Sequence, residues 1–273
     1  MSITQAEKAQ RFKALHQGPR TFVFPNPWDT VSARMLASLG FPALATSSGA
    51  MAAMYGRRDG KVTREEALAH CRTIVAATSL PVAADLEKGF ADAPEQVAET
   101  IRLAAAAGLV GGSIEDATGD PNQPVYDIGL ARDRIEAAAK AAHALPFPFI
   151  LTARAENFLR NRADLSDTIA RLQAYDKAGA DVLFAPGLPD LDAVKAVCSA
   201  VSKPVNFMVG IKGKSFTVAQ LEAAGVRRIS LATSLYRAAM TGLFDAATEI
   251  KEHGTFGYVD KSLPAQALSA CLE

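Results

Sequence analysis

The apolar run Pro81-Val82-Ala83-Ala84 breaks off at Asp85, Glu87 follows two residues later, and Gly89 frees the backbone to turn. Residues at i and i+2 share a face of an extended strand, so this spacing predicts two carboxylates aimed at one point. Oxygen-only donors of that kind suit a hard cation, Mg²⁺ with Mn²⁺ as the alternative. The same acids would otherwise cap the next helix or face water. The pattern recurs along the chain. Val110-Gly111-Gly112-Ser113-Ile114 stops at Glu115 and Asp116, and Phe149-Ile150-Leu151-Thr152-Ala153 stops at Arg154, with Glu156 beyond it. The small-residue turn Ser47-Ser48-Gly49-Ala50 offers a hydroxyl and backbone amides to a small anion, and Arg154 offers a bidentate fork to a carboxylate. A metal, an arginine and such a turn describe a pocket for a small dicarboxylate or oxo acid.

For these groups to meet, the strands that carry them must lie side by side. Short apolar runs at Thr21 to Phe24, Ala43 to Thr46, Pro81 to Asp85, Val110 to Asp116, Phe149 to Ala153, Asp181 to Phe184, Val205 to Met208 and Ile229 to Leu231 alternate with amphipathic helices. Apolar strands alternating with helices indicate a parallel sheet covered on its outer face. Eight strand–helix units in 273 residues favour an α/β fold closed as a (β/α)₈ TIM barrel, one domain over 1–273, rather than an open doubly wound sheet. No G-x-G-x-x-G opens a first helix, which counts against a dinucleotide fold. In a barrel the site forms at the carboxyl ends of the strands. Read in order, those ends are Asn26 and Asp29, Ser48 to Ala50, Asp85 and Glu87, Glu115 and Asp116, Arg154 and Glu156, Pro186, Asn206, and Ser230.

The composition narrows the chemistry further. The chain is 49% hydrophobic, has a formal net charge of +0 and scatters its Lys and Arg among acids, which argues against nucleic acid or a membrane surface as partner. Cys71, Cys198 and Cys271 are odd in number and far apart, so neither a disulfide framework nor a zinc knuckle is expected. No apolar run is long enough to span a bilayer, and Met1 to Glu7 lacks the order of a signal peptide; a cytoplasmic protein is expected. His16, His70, His143 and His253 fall on helices or outer connections, away from the strand ends. The sixth strand holds no lysine for a Schiff base.

The motifs Asn26-Pro27-Trp28-Asp29, Thr46-Ser47-Ser48-Gly49-Ala50, Gly56-Arg57-Arg58-Asp59, Asp85-Leu86-Glu87-Lys88-Gly89-Phe90, Ser113-Ile114-Glu115-Asp116 and Ala153-Arg154-Ala155-Glu156, in this order and spacing, resemble the isocitrate lyase/phosphoenolpyruvate mutase superfamily over nearly the whole chain. The resemblance implies a Mg²⁺-containing barrel acting on small 2-oxo or 2-hydroxy acids. It also implies a homo-oligomer, dimer or tetramer, that exchanges a C-terminal helix between neighbours. Carried over by position, Asp85 is the direct metal ligand, and Glu87 and Glu115 hold metal-bound waters. Ser48, Gly49 and Ala50 anchor the substrate carboxylate and oxo oxygen, and Arg154 grips the same end. Asp59 is an acid on the mobile segment after the second strand, and Asn206 is a substrate-binding residue on the seventh.

The chain departs from this pattern in two places. The usual Asp-x-Asp metal pair is Asp-x-Glu here. The segment Ala117 to Tyr126 holds no Cys, His or Lys, where the lyases carry a catalytic cysteine and the phosphonopyruvate-directed members a lysine. The expected activity is a Mg²⁺-dependent lyase that cleaves a C–C bond of a small oxo or hydroxy acid through an enolate, with Asp59 and Arg154 as catalytic residues. Decarboxylation demands least of the missing loop. The alternatives are C–P mutase or hydrolase chemistry on phosphonopyruvate-like substrates and a barrel that only binds an oxo acid. The Ala117 to Tyr126 segment, rich in turn formers, is expected to be a lid.

Overall fold

In the computed structural model, which describes residues 3–272, eight strands wind into a nearly closed parallel barrel. They are β1 (Phe22–Phe24), β2 (Leu44–Ala45), β3 (Val82–Asp85), β4 (Gly111–Glu115), β5 (Ile150–Arg154), β6 (Val182–Phe184), β7 (Val205–Met208) and β8 (Arg228–Ser230). Their order around the sheet is β1-β8-β7-β6-β5-β4-β3-β2. At the β1–β2 seam the Ala45 amide donates to Pro25 O at 3.0 Å. Pro25 and Pro27 carry no N–H, so a ladder cannot lengthen on that side. The expected (β/α)₈ barrel is the observed fold; positions 1, 2 and 273 of the expected domain lie outside the described residues.

The helices are α1 (Gln5–Gln17), α2 (Thr30–Ser38), α3 (Ser48–Met54), α4 (Arg64–Ala77), α5 (Pro94–Ala106), α6 (Ile128–His143), α7 (Leu165–Lys177), α8 (Leu191–Ala200), α9 (Val218–Ala223), α10 (Ser234–His253) and α11 (Ala265–Ala270). Local chemistry sets several of their starts. Thr63 and Glu66 form the capping box of α4, and Pro94 opens α5, where a missing N–H costs nothing. α1 closes the amino-terminal end of the barrel: its Phe12 is fully buried and packs with Ala9 against Phe22, Phe24 and Ile150. Between β3 and β5 the backbones crowd so closely that β4 needs glycine. A Cβ at Gly111 would lie 2.9 Å from Ile150 O, and one at Gly112 would lie 2.7 Å from Leu86 Cδ1.

Two local expectations change. The segment from Ser48, read as a turn, is the short helix α3, capped by the Ser47 side chain; the Ala- and Met-rich stretch that follows has good helix formers. Glu87 does not continue a strand: its φ is +49°, a left-handed conformation that a non-glycine residue adopts only where the surroundings impose it. Beyond α10, the short α11 forms after Pro264.

Candidate active site

Ser48, Gly49, Asp59, Asp85, Arg154 and Asn206 line one cavity of about 210 Å³ at the carboxyl ends of the strands. The strand-end reading implies Ser48, Gly49, Asp85, Arg154 and Asn206 as neighbours, the resemblance adds Asp59, and the barrel brings all six to one cavity. Ala50 does not line it: it is fully buried and its amide donates to Ser47 Oγ at 3.4 Å. Glu87 and Glu115 also stand outside the cavity wall. Gly49 has to be small here, because a Cβ would sit 3.0 Å from Thr233 Cγ2 and 3.4 Å from Asp59 Oδ2.

Asp85 ends β3 at the centre of the acids. Its Oδ2 accepts from Ser48 Oγ at 3.0 Å and lies 3.5 Å from Arg154 Nη1; its Oδ1 accepts from the Glu87 amide at 3.2 Å. Leu86, fully buried, points the other way. The Asp85 and Glu87 side chains therefore converge around a turn rather than along a strand face. Burial first, then the charges of Asp85 and Asp59, push the Glu87 carboxyl up to about 7. Burial and Asp85 likewise raise Asp59, whose carboxyl edge lines the cavity although the residue as a whole is exposed.

Arg154 ends β5 and spans the other side. Its Nη1 is 3.5 Å from Glu115 Oε2 and its Nε donates to the fully buried Glu156. Arg160 reaches the same two acids, at 3.4 Å and 3.2 Å. Burial would lower the Arg154 pKa, but Glu156, Glu115 and Asp85 outweigh it and raise it. The guanidinium is a fixed positive charge. Glu115, buried beside Glu156, is raised well above the ordinary carboxylate range.

Whether this set fits a metal is decided by its donor chemistry. Asp59, Asp85, Glu87, Glu115 and Glu156 crowd around Arg154 and Arg160, and Glu87 Oε1 is buried without a hydrogen-bond partner. Excess buried carboxylate with an orphaned oxygen fits a divalent cation with oxygen ligands. Among the described residues no group of three His, Cys, Asp or Glu side chains converges to chelating distance, so an ion here would depend on water for most of its shell.

A family model for phosphoenolpyruvate phosphomutase matches residues 12–251. The chain belongs to the isocitrate lyase/phosphoenolpyruvate mutase superfamily. Among its relatives in the superfamily is a crystal structure from Burkholderia cenocepacia J2315, described only as far as lyase/mutase. It is 52% identical with a TM-score of 0.96, over 97% of this chain and 96% of that one. The 2-methylisocitrate lyase of Escherichia coli K12 is 29% identical over 93% of this chain and 88% of its own. Oxaloacetate decarboxylase 2 of Pseudomonas fluorescens Pf0-1 is 29% identical over 93% and 87%.

Several further residues hold this site in place. Asp116 is buried: its Oδ1 accepts from the Glu156 amide at 2.8 Å, and its Oδ2 accepts from Tyr175 Oη at 2.7 Å and Arg171 Nη1 at 3.1 Å. It is a strut beside Glu115, not a ligand facing the cavity. Arg134, on the apolar face of α6, donates to Ala91 O at 2.7 Å and to Lys88 O, holding the turn that carries Glu87. Its place among Ala131, Ile135 and Ala138 was the available signal, since an arginine in an alanine face has to find buried acceptors. Asn206 is committed at both ends, accepting from Arg228 Nε at 2.9 Å and donating to Ser230 Oγ at 3.0 Å. In the 117–126 segment, Ala117 and Val125 pair as an antiparallel bridge, and Lys88 Nζ donates to Thr118 O at 3.0 Å. Its tip does not line the cavity. His70 is buried and bonded to Trp28 O, and Cys71 is buried, its thiol pushed up to about 12 by burial; both face away from the cavity.

Proposed function

We propose that the cavity is the active site of a Mg²⁺-dependent lyase, with Mn²⁺ as the alternative ion, that cleaves the C–C bond beside the functional carbon of a small 2-oxo or 2-hydroxy acid. Loss of CO₂ from an oxaloacetate-like acid is the favoured form. The observation that carries this reading is Asp85, held by Ser48 and Arg154 on a cavity wall it shares with Asp59, with Glu87, Glu115 and Glu156 close behind. Asp85 would take the ion directly, with Glu87 and Glu115 holding its waters. When bound, the ion supplies Lewis-acid polarisation of the substrate's oxo oxygen.

The remaining steps belong to the chain. Ser48 orients Asp85, and the bare backbone at Gly49 lets a substrate carboxylate approach closely. Arg154, locked in its charge state by three acids, stabilises the negative charge that develops as the C–C electrons move onto the oxo oxygen. Fixed charges of this kind commonly contribute the largest share of such catalysis. Asp59, whose carboxyl edge lines the cavity and is raised by burial and by Asp85, is the group placed to return a proton to the carbon that lost CO₂. No cysteine, histidine or lysine is needed from the 117–126 segment, because CO₂ departs without accepting a proton. The names of two relatives, a methylisocitrate lyase and an oxaloacetate decarboxylase, support C–C cleavage over the C–P alternative.

A screen of oxaloacetate, 2-methylisocitrate and phosphonopyruvate with Mg²⁺ and with EDTA tests this. EDTA-sensitive release of CO₂ or pyruvate is expected. Turnover of phosphonopyruvate alone would transfer the reading to C–P chemistry, and no turnover of any oxo or hydroxy acid would leave a binding protein. We further propose that copies associate through the C-terminal helices: α10 buries none of its residues, and Leu243 and Phe244 are 63% and 71% exposed. Light scattering should show a dimer or tetramer that Phe244→Asp dissociates.

A further inference from the structure

Beneath the acids, the same cavity is lined by Arg228, Thr152 and Ser230. Arg228 opens β8 and is 3% exposed. Its Nε donates to Asn206 Oδ1 at 2.9 Å, its Nη2 to Thr152 Oγ1 at 2.9 Å, and its Nη1 meets His16 Nε2 at 3.2 Å. The guanidinium lies over the Phe24 ring, 4.5 Å from its centroid. All four partners are neutral. His16 is held neutral by geometry: Nδ1 lies 2.8 Å from Phe12 O, which can only accept, so Nδ1 carries the proton and Nε2 accepts from Arg228. Among the described residues no carboxylate lies within ion-pairing distance of Arg228, whereas Arg154 and Arg171 each have acids at hand.

A buried cation without a counter-charge is costly, and this one borders a cavity. A guanidinium has five N–H groups; three are accounted for above. The hydrogen bonds around it also set Ser230. Arg228 Nε can only donate, so the Asn206 oxygen faces it and the Asn206 nitrogen faces Ser230. Ser230 Oγ accepts that bond, which leaves its own hydrogen free to donate into the cavity. Burial pulls Arg228 down to about 9, so it remains charged at neutral pH.

We propose that Arg228 and Ser230 form an anion subsite at the cavity floor that binds the far carboxylate of a dicarboxylic substrate, while the near end of the substrate meets the acid-ringed mouth. The wall at the mouth repels an anion unless a cation intervenes; the floor attracts one unaided. This rests on the cavity being the substrate site but not on which bond is cut.

The test is a calorimetric titration of the Mg²⁺-loaded protein with two 2-hydroxy acids of equal chain length, malate and 2-hydroxybutyrate, with a product assay on each mixture to separate binding heat from turnover. Malate is expected to bind roughly tenfold to a hundredfold tighter, the value of one or two hydrogen bonds to a charged group. Arg228→Met should remove that difference while leaving 2-hydroxybutyrate and Mg²⁺ affinity unchanged. Should Arg228→Met not fold, Ser230→Ala serves, with a several-fold loss for malate only. Equal affinities of the two acids in the wild type, no binding of either, or equal loss of both in the variants overturns the subsite. Malate binding through Arg228 in a protein that turns over no oxo acid would sink the lyase reading and keep this one.

Discussion

Around the mouth of the cavity, Asp85, Glu115 and Glu156 share Arg154 and Arg160, with Asp59 and Glu87 beside Asp85 and paired with neither arginine; at its floor, Arg228 has neutral partners and, among the described residues, no acid. The mouth is a place where folding has gathered negative charge that it does not fully neutralise. The floor is a place where it has buried positive charge and surrounded it with hydrogen-bond acceptors. Neither arrangement favours stability taken alone. Both make sense if the missing charges arrive as ligands, a cation at one end and a carboxylate at the other. A third region offers the contrast: Asp116, Arg171 and Tyr175 form a buried network in which one acid meets one guanidinium directly, with the half-buried Asp167 at its rim.

The largest effect should come from breaking the mouth. Asp85→Ala is expected to abolish Mg²⁺ binding by calorimetry and to lower turnover by about 10³ or more. Its melting temperature should stay within about 3 °C of wild type, under about 1 kcal/mol for a chain of this size, because Arg154 keeps Glu115 and Glu156 while Asp59 and Glu87 lose a repelling neighbour. Glu115→Ala, acting through the water shell, should weaken Mg²⁺ about tenfold. Unchanged Mg²⁺ affinity in Asp85→Ala would remove the metal from the mouth.

Asp116 sharpens the comparison, since it lies next to Glu115 and does the opposite work. Asp116→Ala strands Tyr175 and weakens the pairing of Arg171, a loss of about 3 kcal/mol and roughly 5–10 °C in melting temperature. Folded Asp116→Ala should retain Mg²⁺ affinity. If it lost the metal at full stability instead, the division between strut and ligand would be misplaced.

How much of this was readable from the chain depended on distance along it. A strand that ends in an acid announces itself locally, so Asp85, Glu115 and Arg154 and the barrel that unites them were legible. The turn at Glu87 was not, because its left-handed backbone is imposed by Arg134 and by the packing of Leu86, neither of which a two-residue period reveals. Ala50 looked equivalent to Ser48 and Gly49, but the cap of α3 turns its amide inward. The floor was the least legible part. Arg227-Arg228 reads as a solvated pair and His16 as a helix residue, and only the closed barrel brings His16 and Arg228 together across the length of the chain.

The floor should also show in the acid stability of the protein. Burial, then Arg228, lowers His16 to about 3, below the 6.5 of an unfolded chain. Its contribution is complete above pH 6.5 and is lost as pH falls toward 3, because only the unfolded state takes up the proton. Between pH 6.5 and 5 that amounts to about 2 kcal/mol. His16→Gln can donate to Phe12 O and accept from Arg228 without titrating, so its denaturation midpoint in EDTA should fall less over this interval than that of the wild type. Parallel pH profiles would mean that His16 is not held neutral.

The smallest expected effect lies at the 117–126 segment, which belongs to neither end of the cavity. Its tip is bonded mainly to itself: the Asp120 amide donates to Thr118 Oγ1 at 2.9 Å, and the Asn122 amide donates to Asp120 Oδ1 at 2.8 Å. Its base is fixed by the Ala117–Val125 bridge and by Lys88. Such a segment moves as one body about its base or not at all. As a lid it would act by excluding water from the charge developing near Arg154, since it holds no Cys, His or Lys to join the chemistry. Replacing Thr118 to Gln123 with Gly and Ser at equal length keeps the base and dissolves the tip. Turnover of the best substrate should then fall about tenfold, the scale of a lost covering element rather than a lost catalytic group. Mg²⁺ affinity should be unchanged, and so should the melting temperature, because the lost hydrogen bonds are exposed. Unchanged turnover would leave the segment a connector, and water exclusion would then fall to the segment that carries Asp59.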